Sequence, residues 1–78
     1  MRNLEKLTNQ LNKNYLFIPS FSYVKKYNLI SAKHESKLIQ ILINNYGDYV
    51  LIITNCDGYN QKRFNTKKAL INYILKTL

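Results

Sequence analysis

Residues 37–55 constrain the fold more strongly than any other part of the chain. The apolar run "KLIQILI" at 37–43 is followed by "NNYGD" and then by a second apolar run, "YVLIITN", at 49–55. Two β-rich runs separated by a short glycine-containing segment are typical of neighbouring antiparallel strands. The sequence therefore predicts a β-hairpin that turns around Gly47.

A second turn signal follows this hairpin directly. Asp57-Gly58 is a pair favoured in two-residue type I′ turns, so we expect residues 59–64 to fold back as a third strand. With this pair at the turn, Leu51 lies opposite Phe64. One face, which we expect a C-terminal helix to cover, then carries Leu51, Ile53 and Phe64, and the other carries Tyr59, Gln61 and Arg63.

A short amphipathic helix is predicted near the start of the chain. Leu4, Leu7 and Leu11 recur at the three-and-four spacing that places side chains on one side of a helix. Asn3 is a favourable N-cap, and Asn14 suits the end of the helix. This apolar stripe is narrow, so the helix must pack against a larger element.

A second helix is predicted from Thr66, which acts as its N-cap, to Leu78. Its apolar stripe consists of Leu70, Ile71, Ile74, Leu75 and Leu78. The first turn contains Lys67 and Lys68, although the partial positive charge of a helix N-terminus favours acidic residues there. An unfavourable local choice of this kind is often made where function requires it.

Residues 15–36 carry the weakest pattern. Aromatic residues fall on odd positions from Tyr15 to Tyr27, as on one face of an extended strand, but Pro19 prevents pairing within the centre of a sheet. An edge strand is the favoured interpretation, and a short helix at 21–28 is the alternative. The predicted fold class of the single domain, residues 1–78, is α+β: a helix, a three-stranded antiparallel β-meander to which an edge strand can be added, and a C-terminal helix.

Both faces of the predicted sheet are apolar, because the two central runs contain apolar residues at odd and at even positions. The helices can cover one face. The other requires a cover of its own: residues 15–30 folded over it, a second copy of the chain, or a protein partner.

An excess of positive charge narrows the class of partner. The chain has 12 Lys and Arg residues against 4 Asp and Glu residues, which gives a formal net charge of +8. Codon bias in an AT-rich genome also enriches lysine, so the placement of the charges is more informative than their number. No acid follows Asp57, and a chain segment of this kind favours an anionic partner.

The candidate nucleic-acid-binding residues lie in this acid-free segment. Backbone N–H groups at a helix N-terminus attract phosphate, and nearby lysines strengthen that attraction. An arginine can bind a phosphate or a guanine edge in bidentate fashion. The predicted contacts are Tyr59, Gln61, Lys62, Arg63, Thr66, Lys67 and Lys68.

The string "DG" followed by "KRFNTKKA" and an apolar helix resembles the small N-terminal DNA-binding domains of tyrosine-type integrases from mobile elements. In that family a three-stranded sheet enters the major groove, so the resemblance, which covers roughly the second half of the chain, implies DNA binding by this sheet. The order of elements, with Lys67 and Lys68 opening the last helix, is also similar to that of a double-stranded-RNA-binding domain.

Motifs for enzyme chemistry are not found in the sequence. His34 has no second His or Cys at metal-ligand spacing, and Gly47 and Gly58, the only glycines, both belong to predicted turns rather than to a phosphate-binding loop. Cys56 is interpreted as a small filler beside a turn. We therefore expect no catalytic residue, metal or cofactor. The enzymatic alternative is a metal-independent ribonuclease that uses only Tyr, Lys, Arg and His side chains.

The favoured function is a small, non-catalytic nucleic-acid-binding protein of a phage or another mobile genetic element, with DNA or RNA as its partner. The alternative is a protein-binding inhibitor from a mobile element, such as an anti-CRISPR-like protein that docks on a host nuclease or nucleoprotein complex. Neither a signal peptide near Met1 nor an apolar run of ~18 residues is seen, so we expect a cytoplasmic protein that does not enter a membrane. A homodimer is a further expectation, because a core of this size is thin.

Overall fold

The computed structural model describes residues 3–14 and 21–77, and in that part of the chain five strands form one antiparallel sheet with two α-helices on one of its faces. In chain order the elements are α1 (Glu5–Asn14), β1 (Ser22–Val24), a 3₁₀ turn (Lys25–Tyr27), β2 (Leu29–His34), β3 (Lys37–Ile43), β4 (Tyr49–Asn55), β5 (Gly58–Phe64) and α2 (Lys67–Thr77). The strands lie side by side in the order in which they occur in the sequence. Within the described ranges, no helix is long and apolar enough to cross a membrane.

The predicted central hairpin is confirmed with its bounds, since β3 and β4 coincide with the two apolar runs. Asn44 organises the turn between them: its side-chain oxygen accepts hydrogen bonds from the backbone N–H groups of Tyr46 and Asp48, at 3.0 and 2.9 Å. Gly47 adopts φ +84°, a left-handed conformation that a glycine reaches without steric cost. The predicted turn around Gly47 is therefore confirmed.

The prediction of a three-stranded meander is wrong, because β1 and β2 extend the sheet to five strands. β2 buries Ile30 and Ala32 on the helix-covered face and alternates them with the polar residues Ser31 and Lys33. This pattern is weak, and the strand is held in the sheet by the pairing of residues 30–34 with β3. The turn between β2 and β3 places Glu35 at φ +57° without glycine, so it carried no turn signal. The alternative helix at 21–28 is reduced to the 3₁₀ turn.

The register of the last hairpin differs from the prediction by two residues. The two turn residues are Cys56 and Asp57, because the side-chain oxygen of Asn55 accepts the Asp57 N–H at 2.9 Å and draws the turn one position earlier. Leu51 consequently lies opposite Lys62 rather than Phe64. A shift of two residues preserves strand alternation, so the predicted composition of each face is confirmed. Cys56 is exposed in the turn and does not fill a gap in the core, contrary to the prediction.

Helix α1 packs its leucine stripe into the core as predicted: Leu4, Leu7 and Leu11 are fully buried. Asn3 caps the helix, with its side-chain oxygen 2.7 Å from the Glu5 amide nitrogen. A second asparagine fixes the helix to the sheet. The Asn12 amide donates to the Phe21 carbonyl oxygen at 2.8 Å and accepts the Phe21 N–H at 2.7 Å, just before β1 begins.

Helix α2 covers the other half of the same face. Leu70, Ile71 and Ile74 are buried with the leucines of α1 in one core, which also contains Ile39, Ile41 and Leu51 of the central strands. Leu75, predicted as part of the stripe, is 41% exposed and does not belong to this core. Leu78 and residues 15–20 lie outside the described residues, and so do the predictions made for them.

The opposite side of the sheet, called the open face from here on, is the side that carries Gln40, Ile52 and Gln61 in register. Leu38, Leu42 and Ile52 are half-buried there. The expectation that residues 15–30 fold over this face is wrong for residues 22–24 and 29–30, which join the sheet as β1 and β2. Neither of the two described helices covers the open face.

Candidate nucleic-acid interface

The N-terminus of α2 is built as the sequence predicts. The Thr66 hydroxyl oxygen accepts a hydrogen bond from the Ala69 N–H at 3.2 Å, and the Thr66 carbonyl accepts the Leu70 N–H at 3.3 Å. Lys67 and Lys68 follow in the first turn, which contains no acidic residue, and both side chains are exposed. Two cations therefore add to the positive end of the helix dipole instead of opposing it.

These two lysines line a shallow groove between the helices. Its volume is ≈ 380 Å³. The residues around it are Gln10, Lys67, Lys68, Ile71 and Asn72. The groove thus combines two ammonium groups with two amides and contains no carboxylate, a set of groups suited to an anion.

Lys62 lies on the helix-covered face of β5. Its Nζ atom is 4.6 Å from the centroid of the Tyr73 ring, within the range of a cation–π interaction. Tyr73 also contacts Phe64, with 5.3 Å between the ring centroids. The lysine is therefore held against α2 by an aromatic ring while its side chain remains exposed.

Tyr59, Gln61 and Arg63 form a row on the open face of the same strand. Register pairs them with Thr54, Ile52 and Val50 respectively. All three are exposed, and Tyr59 retains 71% of its accessible surface. The structure therefore brings these three predicted residues together but separates them from Lys62, since neighbouring residues of a strand point to opposite faces.

The cations of the acid-free segment are unpaired in the described part of the chain. The contact between a basic and an acidic side chain found there joins the Nε2 atom of His34 to the Oε1 atom of Glu35 at 4.0 Å, in the turn between β2 and β3. No described carboxylate lies within that distance of Lys62, Arg63, Lys67, Lys68 or Lys76. Their charge is consequently available to a ligand.

The predicted site is thus divided into two surfaces. Lys67 and Lys68 form the groove beside α1, with Thr66 used up in capping the helix, whereas Tyr59, Gln61 and Arg63 lie across the sheet from it. Gln10 and Asn72, which complete the groove, were missed because nothing in the sequence indicates which residue of α1 meets α2.

A metal centre is not formed by the described residues. They contain no group of three or more His, Cys, Asp or Glu side chains close enough to hold a metal ion. A second groove, of ≈ 310 Å³, lies between the end of α2 and the last hairpin and is lined mainly by polar residues, including Asn55, Asn60 and Thr77.

Comparison with protein-family models, with curated proteins and with solved structures gives no significant match. The resemblances to integrase DNA-binding domains and to double-stranded-RNA-binding domains therefore stay predictions. The physical properties of the surface carry the functional proposal instead.

Proposed function

We propose that this protein is a non-catalytic nucleic-acid-binding protein of a phage or another mobile genetic element. The observation that carries the proposal is the unpaired state of the cations after Asp57. They occupy one edge strand and the helix that follows it, and no described carboxylate neutralises them. The phosphates of a polyanion supply the missing counter-charge. Binding is favourable because it releases the counterions condensed on those phosphates.

The groove between the helices is the proposed phosphate site. Lys67 and Lys68 supply charge, the free N–H groups of the first turn of α2 supply donors, and Gln10 and Asn72 supply neutral hydrogen bonds. Lys67 and Lys68 destabilise the N-terminus of α2 in the free protein, and they stabilise the complex once a phosphate is bound there. This difference explains why acidic residues are not found there.

The row on the open face is a second surface with a different role. Arg63 can bind a phosphate or a guanine edge, Gln61 an adenine edge, and the exposed ring of Tyr59 can stack on an unpaired base. Because this row and the groove lie on opposite faces of the sheet, one short stretch of nucleic-acid backbone does not reach both.

The experiment that tests the proposal measures affinity for duplex DNA, single-stranded DNA and an RNA hairpin as a function of salt. If the three lysines of the helix-covered side, Lys62, Lys67 and Lys68, contact phosphate, log K falls with log[salt] with a slope of about −2.7 on a duplex. Replacing Lys67 and Lys68 together by Gln removes about two contacts and flattens the slope by about 1.8.

Lys25 and Lys26 provide a matched control. They are adjacent and exposed, and they lie in the 3₁₀ turn at the opposite edge of the sheet. The variant with Gln at both positions has the same net charge as the groove variant, and we expect its slope to match the wild type. Equal loss in the two variants, or a salt-independent affinity, contradicts the proposal.

A second candidate function is supported by the open face. Leu38, Leu42 and Ile52 form a half-buried apolar strip there, which is more typical of a protein-binding surface than of a phosphate-binding one. A protein-binding inhibitor, such as an anti-CRISPR-like protein acting on a host nuclease, would use this strip and have no need of the groove.

Pulldown from nuclease-treated host lysate separates the two candidates. The inhibitor hypothesis predicts a specific protein that is retained by the Lys67→Gln, Lys68→Gln variant and lost from an Ile52→Lys variant. The nucleic-acid hypothesis predicts that specific partners disappear after nuclease treatment.

A further inference from the structure

The outer edge of β5 is the most exposed strand edge of the described sheet. β5 is seven residues long and the last strand in the sheet order, whereas β1, at the opposite edge, has three residues. Gly58 to Arg63 are exposed on both sides of the strand. Proteins normally shorten, bend or cover such an edge, because its unpaired backbone groups pair with any strand that fits.

The hairpin geometry fixes which backbone groups point outward. Asn55 pairs with Gly58 across the two-residue turn, so Gly58, Asn60 and Lys62 occupy the positions that bond to β4. Tyr59 and Gln61 then direct their N–H and C=O groups away from the sheet, as does Arg63. These outward groups are spaced as an antiparallel partner strand requires.

We propose that β5 pairs with β5 of a second copy of this chain, antiparallel and centred on Gln61, to form a continuous ten-stranded sheet. In this register Gln61 faces Gln61, Asn60 faces Lys62, and Tyr59 faces Arg63. No cation therefore faces another cation. Each guanidinium instead lies opposite a tyrosine ring, which is a favourable cross-strand pair.

The two neighbouring registers that keep the same faces aligned are less complementary. Centring on Lys62 places the two lysines directly opposite each other, and like charges in that position are destabilising. Centring on Asn60 places Lys62 opposite Gly58 and leaves the end of β5 against the turn. The register centred on Gln61 pairs the whole strand. Gly58 of each copy lies opposite Phe64 of the other copy.

The net positive charge opposes dimerisation, so the salt dependence of the dimer distinguishes it from nucleic-acid binding. Two copies of charge +8 repel each other, and salt screens that repulsion. Dimerisation should therefore strengthen as salt rises, whereas phosphate binding weakens. In each copy, the pairing leaves the groove between the helices and the row of Tyr59, Gln61 and Arg63 on the open face accessible. The dimer proposal does not depend on the nucleic-acid proposal.

Cysteine cross-linking of the full chain reads the register directly. In a Cys56→Ser background, Gln61→Cys places two thiols on a directly opposed pair with Cα atoms about 5.5 Å apart, within disulfide range. In the same register Asn60→Cys places its thiols on Cα atoms about 8 Å apart, which is too far. Mild oxidation of nuclease-treated protein should cross-link the Gln61→Cys variant and leave Asn60→Cys and Lys62→Cys largely uncross-linked.

Sedimentation equilibrium supplies the second measurement, without nucleic acid and over a range of salt. Gln61→Lys should weaken the dimer about fivefold or more, since it opposes two added cations. Gln40→Lys is the matched control. Gln40 lies on the open face in register with Ile52 and Gln61, but it belongs to the central strand β3 and not to the edge. The proposal is overturned if the protein is a monomer at every salt and protein concentration. It is also overturned if cysteines at position 60 or 62 cross-link more readily than one at 61, or if the two lysine variants have equal effects.

Discussion

The two lysines in the first turn of α2 should make the free protein less stable than it could be. Each cation at an exposed helix N-terminus costs about 0.3–1 kcal/mol at low ionic strength, so replacing Lys67 and Lys68 together by Gln should stabilise the fold by about 0.6–2 kcal/mol. Gln and Lys have similar helix propensities, so the change isolates the charge. In a domain of this size the gain corresponds to about 4–12 °C in Tm.

Thermal unfolding followed by circular dichroism, at low and at high salt, measures this gain. Lowering the net charge also relieves general repulsion, so the reference is the variant with Gln at Lys25 and Lys26, which loses the same charge in a 3₁₀ turn. The difference between the two variants should shrink as salt screens the helix dipole. An equal change in both variants, or a loss of stability in the groove variant, would refute the idea that the lysines oppose the helix.

Three further predictions concern the scaffold, each measured by urea unfolding. Asn12→Ala removes both hydrogen bonds that join α1 to the Phe21 backbone and should cost about 1–3 kcal/mol, and a smaller loss would show that water replaces them. Glu35→Gly relieves a left-handed φ of +57° and should stabilise by about 1 kcal/mol, because the exposed pair with His34 contributes little, whereas destabilisation would show that the pair matters. Ile41→Ala empties a fully buried position between sheet and helices and should cost about 2–5 kcal/mol, and a loss below 1 kcal/mol would mean that the core collapses around it.

The elements that were predicted correctly are those specified by local pattern. β3 and β4 are continuous apolar runs, and each helix has a polar capping side chain, Asn3 or Thr66, before its apolar stripe. Capping and strand alternation depend only on neighbouring residues, so they can be read without knowing the fold.

Strands β1 and β2, where the sequence predicted one edge strand at most, depend on tertiary contacts instead. β2 mixes Ser31 and Lys33 with its apolar residues, and β1 is too short to show a pattern, so both strands depend on pairing with the strand beside them. The turn at Glu35 uses a left-handed residue other than glycine, asparagine or aspartate. Neither feature gives a local signal.

The candidate site was predictable in composition but not in arrangement. The acid-free segment is evident from the sequence, and alternation alone separates Lys62 from Arg63. The groove is not evident, because Gln10 is contributed by the other end of the chain through helix packing. Sequence reasoning therefore identified the charges and the face of β5 on which Arg63 lies, but not the groove that Lys67 and Lys68 line.

The central claim is that the unpaired cations of β5 and α2 bind a polyanion. The most direct test is a chemical-shift titration of the protein with a short duplex and a short single strand. We predict saturable shifts of the backbone amides of Lys67, Lys68 and the residues beside them, with Lys25 and Lys26 unchanged. Shifts confined to Lys25 and Lys26, or no saturable shift with either oligonucleotide, would contradict the claim.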